Sequence, residues 1–184
     1  ILNGKMTPTI LLLSMPALMM GLVQSVIPVV DGLFINNFAG TNAASAISYS
    51  GAVINMMAAL GQGLSVAAMA IIGQANGRGE FEEARKVSTQ IFVFSFLLGF
   101  AFAPLLVAVA FPISNNVNEK IAPDVFTYLS LNALVLPFSF LESIYNAIKN
   151  ASGRPEAAFI RMVLMLLMKI IFNALFVALF RWAV

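Results

Sequence analysis

The chain has 184 residues, 60% of them hydrophobic and 10% charged, where an average soluble domain carries about 25% charged residues; with a mean hydropathy of +0.93 it reads as an integral membrane protein. It contains no Cys and no His, which excludes disulfides, thiolate metal sites and imidazole acid–base chemistry, and leaves carboxylates, with Lys and Tyr behind them, as proton carriers. The net charge of +2 reflects basic connections between apolar segments and argues for no nucleic-acid partner.

The first predicted element covers about residues 8–38. No charge lies between Lys5 and Asp31, a run longer than the ~20 residues a helix needs to cross hydrocarbon. It is also too long for a signal-peptide core and lacks a small-residue cleavage site, so it belongs to the mature structure. This transmembrane helix carries an acid. Pro28, three residues before Asp31, has no N–H to offer the carbonyl of Gln24, so the helix is expected to hinge there. Gln24 and Asp31 are two turns apart on one face. A freed carbonyl and a carboxylate are both expensive in lipid, and the remaining segments are expected to form a bundle that gives this helix a polar interior to face.

The second element, about 43–75, has no charge and holds Gly51, Gly61, Gly63 and Gly73 among Ala and Ser, a composition that lets backbones approach closely. The third covers about 84–112, the fourth 123–149 and the fifth 155–184, the last two opened by Pro123 and Pro155 in their first turns. At 1.5 Å per residue these helices reach ~40 Å or more, so they tilt or project beyond the bilayer. Short connections predict antiparallel neighbours. The fold class is an all-α integral membrane protein, with residues 1–184 forming a bundle of five long transmembrane helices.

Loop charge sets the expected orientation. Arg78, Arg85 and Lys86 sit in one connection, Lys149, Arg154 and Arg161 in another, and Lys5 precedes the first helix; residues 36–42 carry no basic residue, and Lys120 stands beside Glu119 and Asp124. The N-terminus and the two basic connections are thus expected in the cytoplasm, which puts Asp31 in the outer half of a plasma or bacterial inner membrane. Glu80, Glu82 and Glu83 with Arg85 and Lys86 form a solvated cap on the third helix and are assigned no chemistry. Gly61-Gln62-Gly63 lacks the strand and lysine of a nucleotide site. The two basic connections echo each other, A-N-G-R-G-E at 75–80 and A-S-G-R-P-E at 151–156; a shared helix-stop signal is favoured over a duplication. With no initiator Met and no polar tail, the chain is expected to be a fragment of a longer protein.

The order of these features resembles the N-terminal lobe of the multidrug and toxic compound extrusion (MATE) family. The resemblance is carried by P-A-L-M-M-G-L-V-Q-S-V-I-P-V-V-D-G-L-F-I in the first helix, the uncharged Gly-rich second helix, G-Q-A-N-G-R-G-E-F-E-E-A-R-K after it, and K-N-A-S-G-R-P-E-A-A leading into a helix with a central Asn. It implies two six-helix lobes related by a pseudo-two-fold axis, of which this chain would be most of the first, with a C-terminal lobe as its partner. It further implies export of organic cations and other amphipathic compounds in exchange for H⁺ or Na⁺, with Asp31 as the coupling acid, Gln24 as its polar companion and Asn173 as the fifth-helix contribution. One departure matters. Many relatives resemble Asn-x-x-x-Asp in that helix, whereas here Val177 stands four residues after Asn173, which weakens a sodium cage.

Each polar residue has a structural alternative. Burial in low dielectric favours the neutral form of a carboxyl group, so an intramembrane acid can hold a proton at one stage of a cycle and lose it at another; alternatively Asp31 stays neutral and bonds the backbone freed by Pro28. A sodium ion at Asp31 would want several oxygens, and one carboxylate gives a weaker cage than two, so H⁺ is favoured over Na⁺. Asn173 could serve an interhelical hydrogen bond instead. Glu142 reads as a second inward proton site or as a structural group that snorkels or pairs with Lys169 or a loop Arg. Lys169, central in the fifth helix, is costly unless paired, and is expected to face another helix or snorkel rather than line a path for cationic drugs. Asn55, Gln62, Asn132, Tyr49 and Tyr145 are further cavity candidates. No cofactor is expected, and no catalytic constellation suggests an enzyme. The reading is therefore a cation-coupled exporter of amphipathic small molecules embedded in a lipid bilayer. A lipid-linked saccharide flippase of the same superfamily, or a non-transporting scaffold or pore, stands as the alternative.

Overall fold

Long apolar runs punctuated by glycine and proline fold as helices throughout the computed structural model, which describes residues 6–35 and 40–179, with side chains described at 15, 18–35 and 40–175. Lys5, Asn36, Asn37, residues 180–184 and the side chain of Val177 lie outside the described part. The helices are α1 (Met6–Phe34), α2 (Gly40–Gly77), α3 (Phe81–Asn115), α4 (Ala122–Ala151) and α5 (Pro155–Leu179). Among the described residues four spans are long and apolar enough to cross a membrane: α2, α3, α4 and Pro155–Leu175 of α5; α1 contributes the shorter apolar stretch Leu18–Phe34. The chain is a multi-pass membrane protein. At 38 residues, α2 is about 57 Å long, well beyond the hydrocarbon thickness.

The predicted third segment, 84–112, is too short. Helix α3 runs through both Pro104 and Pro112 to Asn115, although each proline leaves the carbonyl four residues earlier without its usual donor. Past Pro112 other donors hold the last turn. Asn116 donates its Nδ2–H to the Pro112 carbonyl at 2.8 Å and its backbone N–H to Ile113 at 3.1 Å, and the Ser114 hydroxyl donates to Phe111 at 2.9 Å.

The chain divides into two compact units, one formed by α1 with α5 and the other by residues Gly40–Gly153. In the second unit α4 packs extensively against both α3 and α2, whereas α2 and α3, adjacent in sequence, share less. One apolar cluster joins Ala46 and Met57 of α2, Leu106 and Ala110 of α3, and Val125, Leu129 and Phe140 of α4. A second joins Ala68, Ile72 and Ala75 of α2, Ala84 of α3, and Ile144 and Ala147 of α4. The early part of α2 thus meets the late part of α3 and the early part of α4, so α3 runs antiparallel to both. The central role of α4 follows from small residues opposite it. Gly99 of α3 lies so close that a Cβ there would stand 2.5 Å from the Pro137 Cα, and a Cβ on Gly61 of α2 would stand 3.1 Å from the Phe140 ring. Polar groups tie the same surfaces, the Ser65 hydroxyl donating to the Ser143 carbonyl and the Asn76 amide to the Ala151 carbonyl, each at 3.0 Å.

The stop signal read in the basic connections has a definite geometry. At the end of α2, Glu80 N–H bonds the Ala75 carbonyl and Gly79 N–H bonds that of Asn76, the paired closure of a Schellman motif with a left-handed glycine at φ +78°. In the second connection it is Gly153, at φ +69°, whose N–H bonds the Asn150 carbonyl. The structural match is therefore Asn76-x-x-Gly79 to Asn150-x-x-Gly153, two residues out of step with the letter echo, which supports a recurring stop rather than a copied segment. Gly79→Ala should cost about 1 kcal/mol by forcing a side chain into the left-handed region. Gly77→Ala, which meets nothing within 4 Å and needs no positive φ, should be neutral or better. Thermal unfolding in detergent reads both.

In that turn the Arg78 guanidinium donates from Nε to Glu80 Oε2 at 2.7 Å. The hydrogen bond, more than the charge, holds the Glu80 carboxyl below its ordinary range and raises Arg78. Both groups face solvent, so the pair adds little stability.

Candidate functional site

Between Met15 and Phe34 the described side chains of α1 carry one charge, Asp31, and α5 carries one charge in its middle, Lys169. These two meet. The Lys169 ammonium donates from Nζ to Asp31 Oδ2 at 2.7 Å, as a hydrogen-bonded ion pair whose side chains are 36% and 32% exposed. Helices α1 and α5 pack on each other within their unit, and the long lysine stem spans the remaining gap between them. The energetic reason lies in the medium. An isolated Asp or Lys at the centre of a membrane helix costs roughly 2.5–3.5 kcal/mol by insertion scales. Two opposite unit charges about 4 Å apart attract by about 4 kcal/mol at an effective dielectric constant of 20. Pairing therefore offsets much of what two lone charges would cost.

Lys169 is expected to face another helix or snorkel, with Glu142 as one candidate partner; it faces α1, where its partner is Asp31. The signal was present in the chain as two solitary opposite charges in otherwise uncharged stretches. Nothing in linear order says that the first and fifth helices are partners.

Pro28 lies within α1, which stays helical through it, and its ring is exposed. Gln24 is exposed two turns before Asp31, and Asn173 is half-buried one turn beyond Lys169 on the same face of α5. The ion pair is thus flanked by one amide on each helix. Among the described residues no hydrogen bond joins Gln24 or Asn173 to it. Asp31 and Lys169 thus meet where α1 and α5 pack, with Asn173 one turn further along α5.

The remaining candidates lie in the α2–α4 unit. Tyr49, Asn55 and Gln62 are exposed on α2. On α4, the Asn132 amide donates to the Tyr128 carbonyl of its own helix at 2.8 Å, so that amide supports its backbone. Glu142 is half-buried. Tyr145 lies beneath the Lys149 ammonium, 5.3 Å from ring centroid to Nζ, a cation–π contact at helical spacing. Among the described residues no three His, Cys, Asp or Glu side chains come together as a metal site would need.

A protein-family model described as MatE matches residues 16–175, which takes in Gln24, Pro28, Asp31, Glu142, Lys169 and Asn173. No match was found among curated proteins or among solved structures.

Proposed function

Because the chain belongs to the MatE family of membrane transporters, we propose that it serves a cation-coupled antiporter that exports amphipathic or cationic compounds by alternating access, with H⁺ as the coupling ion and Asp31 as its carrier. The observation that carries this reading is the Lys169–Asp31 pair. A proton landing on the Asp31 carboxylate removes the negative charge, and the ammonium of α5 then loses its reason to stay. One protonation event thereby loosens α1 from α5 beside Pro28, where the helix already lacks a backbone hydrogen bond. Such a two-state contact is what a coupling ion needs in order to bias a conformational equilibrium. Deprotonation restores the pair and resets the cycle.

Ligand count supports the choice of ion. Sodium needs several oxygens, and here one carboxylate oxygen is already taken by an ammonium. The same neutralisation disfavours the flippase alternative, since a lysine engaged by a carboxylate is a poor anchor for pyrophosphate. The orientation read from loop charge, cytoplasmic N-terminus and outer-half Asp31, and a complementary C-terminal lobe are part of the proposal.

The test is ethidium efflux by the complete protein in everted membrane vesicles, driven separately by a proton and by a sodium gradient. A proton gradient alone should drive efflux. Transport by neither gradient sinks the antiporter reading, and transport by sodium alone sinks the choice of ion.

A further inference from the structure

We infer that Lys169 sets the ion selectivity of this site: it acts as a tethered cation that keeps metal ions off the Asp31 carboxylate while leaving it open to protons. The inference rests on Asp31 as the coupling acid and names what determines which ion it accepts.

The geometry is the starting point. Lys169 Nζ stands 2.7 Å from Asp31 Oδ2, inside the space that a sodium ion coordinated by that oxygen would fill. Both cations cannot occupy that position, and a sodium ion on the free oxygen would lie a few ångströms from a like charge. The lysine is bound to its helix, so it competes at an effective concentration set by its stem rather than by the solution. Among the described side chains of α1 and α5 the other charges are Glu156 and Arg161, at least two turns before Lys169; neither replaces Lys169 at Asp31.

A proton escapes this competition. It binds an oxygen covalently, needs no coordination shell, and removes the charge that attracts the ammonium. Taking away the ammonium while keeping the stem should therefore leave a carboxylate that draws a cation from water, with the Asn173 amide oxygen one turn away on α5 as a further ligand. Lys169 is a positioning residue in this account, since it acts through Asp31.

Thermal unfolding of the purified complete protein tests this, with sodium chloride compared against choline chloride at equal ionic strength. The wild type and Lys169→Arg, which keeps the charge, should show no sodium-specific change. Lys169→Met should unfold about 3 °C or more higher in about 100 mM sodium than in choline, and adding Asp31→Asn should abolish the difference. Lys169→Gln provides the same test if the Met variant does not fold. The inference is overturned if neither neutral variant responds to sodium at a pH well above the ordinary carboxylate range. It is equally overturned if the wild type already responds as strongly. Because the readout is binding, it gives its answer whether or not proton-driven efflux depends on Asp31.

Discussion

Asp31→Asn should abolish proton-driven efflux, by about a hundredfold or more, in protein that still reaches the membrane. The amide keeps the size of the carboxyl group but cannot change charge, so the contact with Lys169 no longer has two states. The same substitution leaves an ammonium without its counter-ion in a transmembrane helix, and stability should fall by about 1–3 kcal/mol, the upper figure being that for a lone lysine at the helix centre and the lower reflecting the partial exposure of the pair. Lys169→Met added to Asp31→Asn should recover most of that stability, since no charge is then left unpaired, yet efflux should stay lost. A double-mutant cycle read by thermal unfolding, with efflux measured in parallel, separates the two effects. If the double variant exports at the wild-type rate, the pair is structural and the coupling site lies elsewhere.

The second large effect concerns the α3–α4 crossing. Gly99→Ala should destabilise the protein by about 3 kcal/mol, because the new Cβ would meet the Pro137 backbone at 2.5 Å and a proline ring in mid-helix has no rotamer with which to move aside. Only separation of the helices relieves that contact, and it would reopen the surface that buries Pro137 and Leu136. Gly61→Ala should cost less, since its Cβ meets the Phe140 ring edge at 3.1 Å and a ring can tilt. Gly63→Ala meets nothing within 4 Å and should be neutral or gain up to about 1 kcal/mol from helix propensity. Unfolding temperatures ranked 99 below 61 below 63 are the expected result, and a Gly99→Ala variant as stable as Gly63→Ala would contradict the packing.

Much of this architecture was legible in the residues because transmembrane helices announce themselves by length and apolarity. The starts at Pro123 and Pro155 follow from where proline fits a helix, and the glycine stops follow from the left-handed backbone that Gly79 and Gly153 adopt. The third helix is drawn too short because Pro112 reads as a terminus; the helix continues one turn past it, and Asn116 caps the Pro112 carbonyl there. Tertiary partnership was the larger gap. Asp31 stands out as a lone acid in an apolar run and Lys169 as a charge that must face another helix or snorkel, but the residues do not say which helix. Composition alone does not tell which two of five apolar helices touch. The same holds at Gly99 and Gly61, where the residue type suggests a close approach but the partners, Pro137 and Phe140, come only from the packed helices.

If a proton on Asp31 breaks the pair with Lys169 and its loss restores it, substrate that binds the paired, deprotonated state must expel whatever proton that carboxyl group holds, and this can be measured without a gradient. The purified complete protein, in weakly buffered solution at neutral pH, is mixed with ethidium while a pH indicator is followed. The account predicts a proton release that saturates with ethidium and is missing in Asp31→Asn. Release of equal size from the Asp31→Asn variant, or none from the wild type at ethidium concentrations that saturate binding, would contradict it.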